Sequence, residues 1–159
     1  MIKPGDTLPS MKLMVATDEG PREVSTDDLF RHKRVVLFAV PGAFTPTCSA
    51  RHLPGYIENV AAFKAKGIDS VICLAVNDAY VMGAWAKSQN AGADVLMLAD
   101  GAAQFTKALG LELDLSTRGM GVRSQRFALV ADDMKVKHLA VEKPGDFDVS
   151  RAESVLAAL

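Results

Sequence analysis

Three short, nearly uninterrupted apolar runs constrain this chain more than any other feature: RVVLFAV (34–40), DSVICLAV (69–76) and ADVLMLA (93–99). None is long enough to cross a membrane, and none alternates as a strand with one wet face does. Each therefore reads as a strand covered on both sides. A sheet buried on both faces needs helices above and below it, and the segments between the runs supply them. The first helical stretch spans about Thr47 to Lys66 and ends at Gly67, with Ile57, Val60, Ala61 and Phe63 near helical spacing. Pro54 is expected to kink or restart it. DAYVMGAWAKSQNAG begins at Asp78 as a cap, AAQFTKALG closes on Gly110, and SRAESVLAAL reads as a capped amphipathic helix. A further short helix follows Ser25 or Thr26, with Asp27 and Asp28 in its first turn.

Flanking segments complete the pattern. MKLMVAT (11–17) and REVS (22–25) read as a hairpin at one end of the sheet, its pairing broken at Gly20 and Pro21. RFALVADD (126–133) and KVKHLAVE (135–142) read as an antiparallel pair turning around Asp132, Asp133 and Met134. ELDLSTRGMGVRSQ, between them and the rest, reads as a polar, glycine-containing loop. This order predicts an α/β fold: a mixed central sheet, helices on both faces and an N-terminal hairpin extension, in one domain over residues 1–159. Eighteen basic against 19 acidic residues leave a formal charge of -1, so no global positive field draws the chain to nucleic acid or to an anionic membrane. The amino terminus has no apolar leader-like core, and the chain reads as cytoplasmic.

Chemistry centres on VPGAFTPTCSARHLPGY (40–56). The two cysteines, Cys48 and Cys73, are too few for a disulfide framework, and in a reducing compartment a thiol is either inert core or a chemical tool. Cys48 lies just past the Pro41-Gly42 turn, where the first buried strand becomes a helix at the carboxyl edge of the sheet. Open α/β sheets place their sites there. Unpaired backbone N–H groups and the positive end of a helix favour thiolate, the nucleophilic form. Thr45, three residues earlier, has a hydroxyl within reach of the sulfur or of a bound substrate's oxygen, and Pro41 fixes the backbone and shields the pocket. Cys73, inside SVICLAV, reads as a core thiol. His52 follows Cys48 by one helical turn, but a metal would need more ligands than His32, His138 and scattered carboxylates supply, so no metal site is expected. A guanidinium, permanently charged and a multiple donor, would suit a thiolate. Arg118, Arg123 and Arg126 are the candidates.

Pro41, Thr45 and Cys48 form P-x-x-x-T-x-x-C, and the stretch around them resembles the active-site loop of the peroxiredoxins, in particular the peroxiredoxin-5 branch that includes the plant type II enzymes. LAVNDAYVMGAW, LADGAAQFTKALGLELD and RSQRFALVADDMKVKHLAVE are similar to segments of that branch in the same order, so the resemblance covers nearly the whole chain. It implies a thioredoxin-like fold and a thiol-dependent peroxidase that reduces hydrogen peroxide and alkyl hydroperoxides through a Cys48 sulfenic acid. It further implies that Arg126 reaches the thiolate, that no metal, flavin or nucleotide cofactor is required, and that glutaredoxin/glutathione or thioredoxin restores the thiol. Loops near Phe44 and Trp85 would join a homodimer contact. Some plant type II relatives carry a resolving cysteine at the place of Cys73, whereas the peroxiredoxin-5 arrangement uses one in the carboxyl-terminal segment, and PGDFDVSRAESVLAAL has none. Cys73 thus stands as either core thiol or resolver. A competing reading is a redox-regulated binding protein, or sensor, in which Cys48 oxidation switches a partner surface. A thioredoxin-like disulfide reductase would need a C-x-x-C pair, which is absent.

Overall fold

The structure, a computed structural model, describes residues 1–159. The three apolar runs become β3 (Arg34–Val40), β4 (Ser70–Ala75) and β5 (Leu96–Ala99), which pair in parallel. They are flanked by β1 (Lys12–Thr17) and β2 (Gly20–Ser25) on one side and by β8 (Phe127–Asp132) and β9 (Lys135–Val141) on the other. All these flanking pairings are antiparallel. The order β2-β1-β5-β4-β3-β8-β9 makes a seven-stranded mixed sheet, and β6 (Glu112–Leu115) and β7 (Gly121–Ser124) form a separate two-stranded one.

The central strands sort their side chains by parity. Val36, Phe38 and Val40 face a core shared with Tyr56, Phe63, Cys73, Trp85 and Val155. Val35, Leu37 and Ala39 face another built with Leu29, Phe30, Phe105 and Leu109. Helices α2 (Leu53–Glu58), α3 (Val60–Ala65), α4 (Ala79–Ser88) and α6 (Ala152–Ala157) cover the first face, while α1 (Thr26–Phe30) and α5 (Gln104–Leu109) cover the second. Residues Val35 to Val40 have no exposed surface. Full burial of a side chain such as Leu37 or Phe38 contributes about 1.5–3 kcal/mol, which explains the continuous apolar run in β3. No helix is long and apolar enough to cross a membrane.

Several local expectations hold in detail. Ser25 caps α1 by accepting from the Asp28 N–H at 3.0 Å, and Asp78 caps α4 by accepting from the Val81 N–H at 2.8 Å. Asp133 and Met134, with φ of 49° and 69°, make the left-handed turn that a two-residue hairpin between β8 and β9 requires.

Four expectations are corrected. Gly20 and Pro21 do not break the first hairpin, because they pair with Thr17 and Ala16. β2 is an edge strand, where a proline without an N–H costs no ladder bond. The stretch read as a loop after Gly110 instead folds as the β6–β7 hairpin, with Glu112 opposite Ser124. The helix expected over 47–66 is three pieces: a wide π-type turn at Cys48–His52, then α2, which restarts at Pro54, then α3 beyond Asn59. Finally, Ser150 does not cap α6. Its hydroxyl donates to Glu142 at 2.6 Å, and Arg151, at the cap position, makes no side-chain cap bond.

Candidate active site

Strand polarity assembles the site. β3 ends at Val40 on the edge where the antiparallel β8 begins, since Ala39 pairs with Phe127. The residue after β3 and the residue before β8, Pro41 and Arg126, therefore meet at one corner. β9 ends at the same corner, because Phe127 pairs with Val141 and the Glu142 N–H donates to the Arg126 carbonyl at 3.0 Å. Three chain segments distant in sequence converge with no special loop.

From Pro41 the chain turns tightly back over the sheet. Gly42 permits this, since a Cβ there would lie 3.2 Å from Thr45 Cγ2. The Thr45 hydroxyl donates to the Gly42 carbonyl at 2.6 Å. It does not bond the sulfur, as one expectation had it; its single proton is committed within the turn, leaving its oxygen free only to accept. Cys48 opens the π-type turn, in which the Leu53 N–H reaches back to the Cys48 carbonyl. The Cys48 side chain has no exposed surface. Trp85 Nε1 donates to Ser49 Oγ at 2.9 Å, and the Ala43 N–H to Asn77 Oδ1 at 2.9 Å, so α4 and the loop before it clamp the cysteine turn.

Of the three candidate arginines the structure selects one. Arg126 NH2 donates to Cys48 Sγ at 3.1 Å. Arg123 is committed elsewhere, through Nε to the Met120 carbonyl at 2.8 Å and through NH1 to the Val76 carbonyl at 2.9 Å. Arg118 is exposed on the β6–β7 turn. Arg126 is part-buried, with the Phe147 ring 5.9 Å from its guanidinium carbon, and no carboxylate lies within ion-pair range of it. No carboxylate therefore neutralises its charge.

His52 is a group whose placement sequence reasoning missed. Its ring is fully buried, Nδ1 lies 2.8 Å from Arg126 NH1, and Nε2 lies 3.1 Å from the Ser150 carbonyl oxygen. Both ring nitrogens are engaged, so His52 is not poised as a metal ligand. Burial first, and then the Arg126 charge, push its pKa down to about 3, which keeps the ring neutral. The Ser150 carbonyl also accepts from the Tyr56 hydroxyl at 2.6 Å. Ser150 is itself held by Glu142 Oε2, which accepts from the Ser150 N–H at 2.9 Å and the Asp148 N–H at 2.7 Å as well as from the Ser150 hydroxyl. The only signal in the sequence for this arrangement was a histidine one turn beyond the cysteine.

Cys73 pairs across β4 with Phe38 of β3 and Met97 of β5, and has no exposed surface. It belongs to the same apolar core as Cys48. Burial, reinforced by the neighbouring Cys48 and opposed by Arg126, raises its pKa well above the ordinary thiol value. It is held as a neutral thiol.

A thiol buried under an uncompensated guanidinium, on the edge of a thioredoxin-like sheet, is the arrangement of a thiol oxidoreductase. Residues 3–156 match the Redoxin family. The chain is 52% identical over 156 residues to peroxiredoxin-2C of Oryza sativa subsp. japonica, covering 98% of this chain and 96% of that one. It superposes on the crystal structure of reduced Prx3 from Vibrio vulnificus in complex with H2O2 with a TM-score of 0.95 and 54% identity, over 99% of both chains. Peroxiredoxin 5 from Alvinella pompejana gives a TM-score of 0.86 at 34% identity, over 99% of this chain and 97% of that one. The chain belongs to the peroxiredoxins, the thiol peroxidases among the oxidoreductases.

Proposed function

We propose that Cys48 is the peroxidatic nucleophile and that Arg126, Thr45 and Pro41 form the rest of its site. The observation that carries this reading is the 3.1 Å bond from Arg126 NH2 to Cys48 Sγ, made by a guanidinium with no carboxylate partner. The Cys48 thiolate attacks one oxygen of the peroxide, the O–O bond breaks, and the departing oxygen takes a proton to leave as water or alcohol. Cys48 becomes a sulfenic acid. Arg126 stabilises the thiolate and the charge that builds on the departing oxygen, while Thr45, able only to accept, orients the peroxide O–H. Pro41 supports the turn that brings Thr45 back toward Cys48. The substrates are hydrogen peroxide and alkyl hydroperoxides. Because Cys48 has no exposed surface, small peroxides reach it with the least rearrangement.

An external thiol then condenses with the sulfenic acid, releasing water and leaving a mixed disulfide, which a second thiol reduces. Glutathione with glutaredoxin, or thioredoxin, fills this role. Cys73 is the core thiol rather than the resolver: as a buried neutral thiol at mid-strand it cannot attack Cys48 without local unfolding. Two unpaired cysteines fit a reducing compartment such as the cytoplasm. Phe44, exposed at 55% on the cysteine turn, is available to a homodimer contact, whereas the Trp85 side chain is fully buried, so any contribution near it comes from the surface around it.

The test is peroxide consumption by wild type and Cys48→Ser, with mass spectrometry after stoichiometric peroxide with and without glutathione. Cys48→Ser should lose turnover while keeping its circular dichroism spectrum, and wild type should show a Cys48 sulfenic acid or glutathione adduct. Turnover in Cys48→Ser overturns the assignment, and a stoichiometric Cys48–Cys73 disulfide makes Cys73 the resolver. Oxidation that stops after one equivalent with every reductant favours the sensor reading.

A further inference from the structure

We propose that the cleft between α2 and α6 is the docking site of the recycling thiol, and that it takes a small thiol carrying two carboxylates and an ammonium, the chemistry of glutathione. This rests on the proposed role of Cys48. The cleft has a volume of about 360 Å³, within the range of about 300–1,000 Å³ usual for small-ligand sites. Arg51 enters it from the cysteine turn, Phe147 and Arg151 from the segment before α6, and Glu58 and Glu153 complete its charged lining. Gly55 and Ala152 keep the space between the helices open. A Cβ on Gly55 would stand 4.0 Å from the Ala152 Cβ, so any larger side chain there would grow into the cleft.

Neither guanidinium of the cleft is used up by the fold. Arg51 enters no ion pair, and its guanidinium carbon lies 4.7 Å from the centroid of the Phe147 ring. Stacking on the ring holds the guanidinium and leaves its N–H edges for a ligand. Arg151 Nε is buried without a hydrogen-bond partner, and Glu153 Oε2, 3.8 Å away, is too far to accept from it. A donor left unpaired is a cost that a bound carboxylate relieves by drawing the half-exposed Arg151 side chain round to meet it. Two guanidiniums and two carboxylates balance in charge, so the cleft does not simply attract anions. It matches a zwitterion whose carboxylates meet Arg51 and Arg151 and whose ammonium meets Glu58 or Glu153.

Phe147 ties the cleft to the sulfur. The same ring that carries Arg51 lies 5.9 Å from the guanidinium carbon of Arg126, whose NH2 reaches Cys48 Sγ at 3.1 Å. Arg51 also belongs to the turn that Cys48 opens. A thiol held by its charged ends in the cleft therefore waits beside the one segment that must move to uncover the oxidised sulfur, since Cys48 has no exposed surface. When the two meet, a bond forms between the thiol sulfur and Cys48 Sγ while the Cys48 S–O bond breaks. The hydroxyl leaves with the thiol proton as water; the incoming sulfur is oxidised and the sulfenic acid reduced to the mixed disulfide. Concavity and small size favour a free thiol over a protein dithiol at this step.

The test uses the full chain, oxidised with stoichiometric hydrogen peroxide and then mixed with glutathione, glutathione diethyl ester or mercaptoethanol. Quenched samples are followed by mass spectrometry for the mixed disulfide. The quantity read is the rate constant with glutathione divided by that with mercaptoethanol, a ratio in which any general change in the sulfenic acid cancels. Arg51→Gln and Arg151→Gln should each lower this ratio about fivefold, the order of one partly solvated charge-assisted bond, and the double variant should lower it further. The diethyl ester, which has no carboxylate to offer, should react equally fast with wild type and the double variant. Arg22→Gln removes the same charge from exposed β2, outside the cleft, and should leave the ratio at its wild-type value. A double variant with the wild-type ratio, or an Arg22→Gln protein whose ratio falls as far as that of Arg51→Gln, overturns the proposal. Failure of the Cys48 reading looks different and overturns both: wild type would then form no Cys48 sulfenic acid before any thiol is added.

Discussion

Acidification should destabilise this protein through His52 before its carboxylates contribute fully, and the size of the effect follows from where the ring sits. In the folded chain the buried imidazole resists a proton until about pH 3, against an ordinary value of 6.5. Between those values the unfolded state binds more protons than the folded one, so stability is complete above about pH 6.5 and is lost as the pH falls toward 3. Each pH unit well inside that window removes about 1.4 kcal/mol for one proton. From about pH 7.5 to about pH 5, with the rounding near the upper value included, the loss is about 2 kcal/mol. The assay is urea unfolding of wild type and His52→Gln at matched pH values. Burial would raise the Glu142 pKa, but bonds from Ser150 and its neighbours outweigh it and hold the group below its ordinary value, so Glu142 contributes little over this interval. With a urea slope of about 1–3 kcal/mol per molar, the wild-type midpoint should fall by about 1 M relative to the variant over that interval. Parallel midpoint-versus-pH curves would mean that His52 is not held neutral by its surroundings, and the reasoning fails.

Two further outcomes follow from the same contacts. Arg126→Gln should react with hydrogen peroxide at least about tenfold more slowly, since a charge-assisted hydrogen bond contributes about 1.5–3 kcal/mol, and Arg126→Lys should fall between it and wild type because an ammonium cannot span His52 and Cys48 at once; stopped-flow traces matching wild type for Arg126→Gln would move the role elsewhere. Replacing Phe44 by serine should shift sedimentation from dimer toward monomer with unchanged circular dichroism, and a wild type that sediments as monomer at high micromolar concentration would remove the proposed homodimer.

How much of this was legible in the chain depended on whether a residue's role is local. The buried strands were readable because burial on both faces writes itself as a continuous apolar run, and β3 is its clearest instance. Cys48 was readable because a strand, a Pro-Gly turn and a helix start are adjacent in sequence. The β6–β7 hairpin was missed although Leu113 and Leu115 alternate with Glu112 and Asp114; its glycines drew attention to the turn rather than to the flanking period. Choosing Arg126 over Arg123 required the resemblance, because that choice is made by the register of β8 against β3. His52 was weighed only as a metal ligand. Its actual partners, Arg126 and Ser150, lie 74 and 98 residues away along the chain, beyond any local pattern. Ser150 misled for the opposite reason, since a serine before a helix looks like a cap unless something else takes its hydroxyl.

The contact between Trp85 and Ser49 equips the protein with an optical reporter. Trp85 is the only tryptophan in the chain, it is fully buried, and its indole N–H is bonded to the residue next to Cys48. Any movement of the cysteine turn that draws Ser49 away leaves that N–H without its partner and changes the polarity around the ring. Intrinsic emission excited at the indole band therefore follows movement of the turn directly, without a label, and times the response of the backbone independently of any assay of the sulfur.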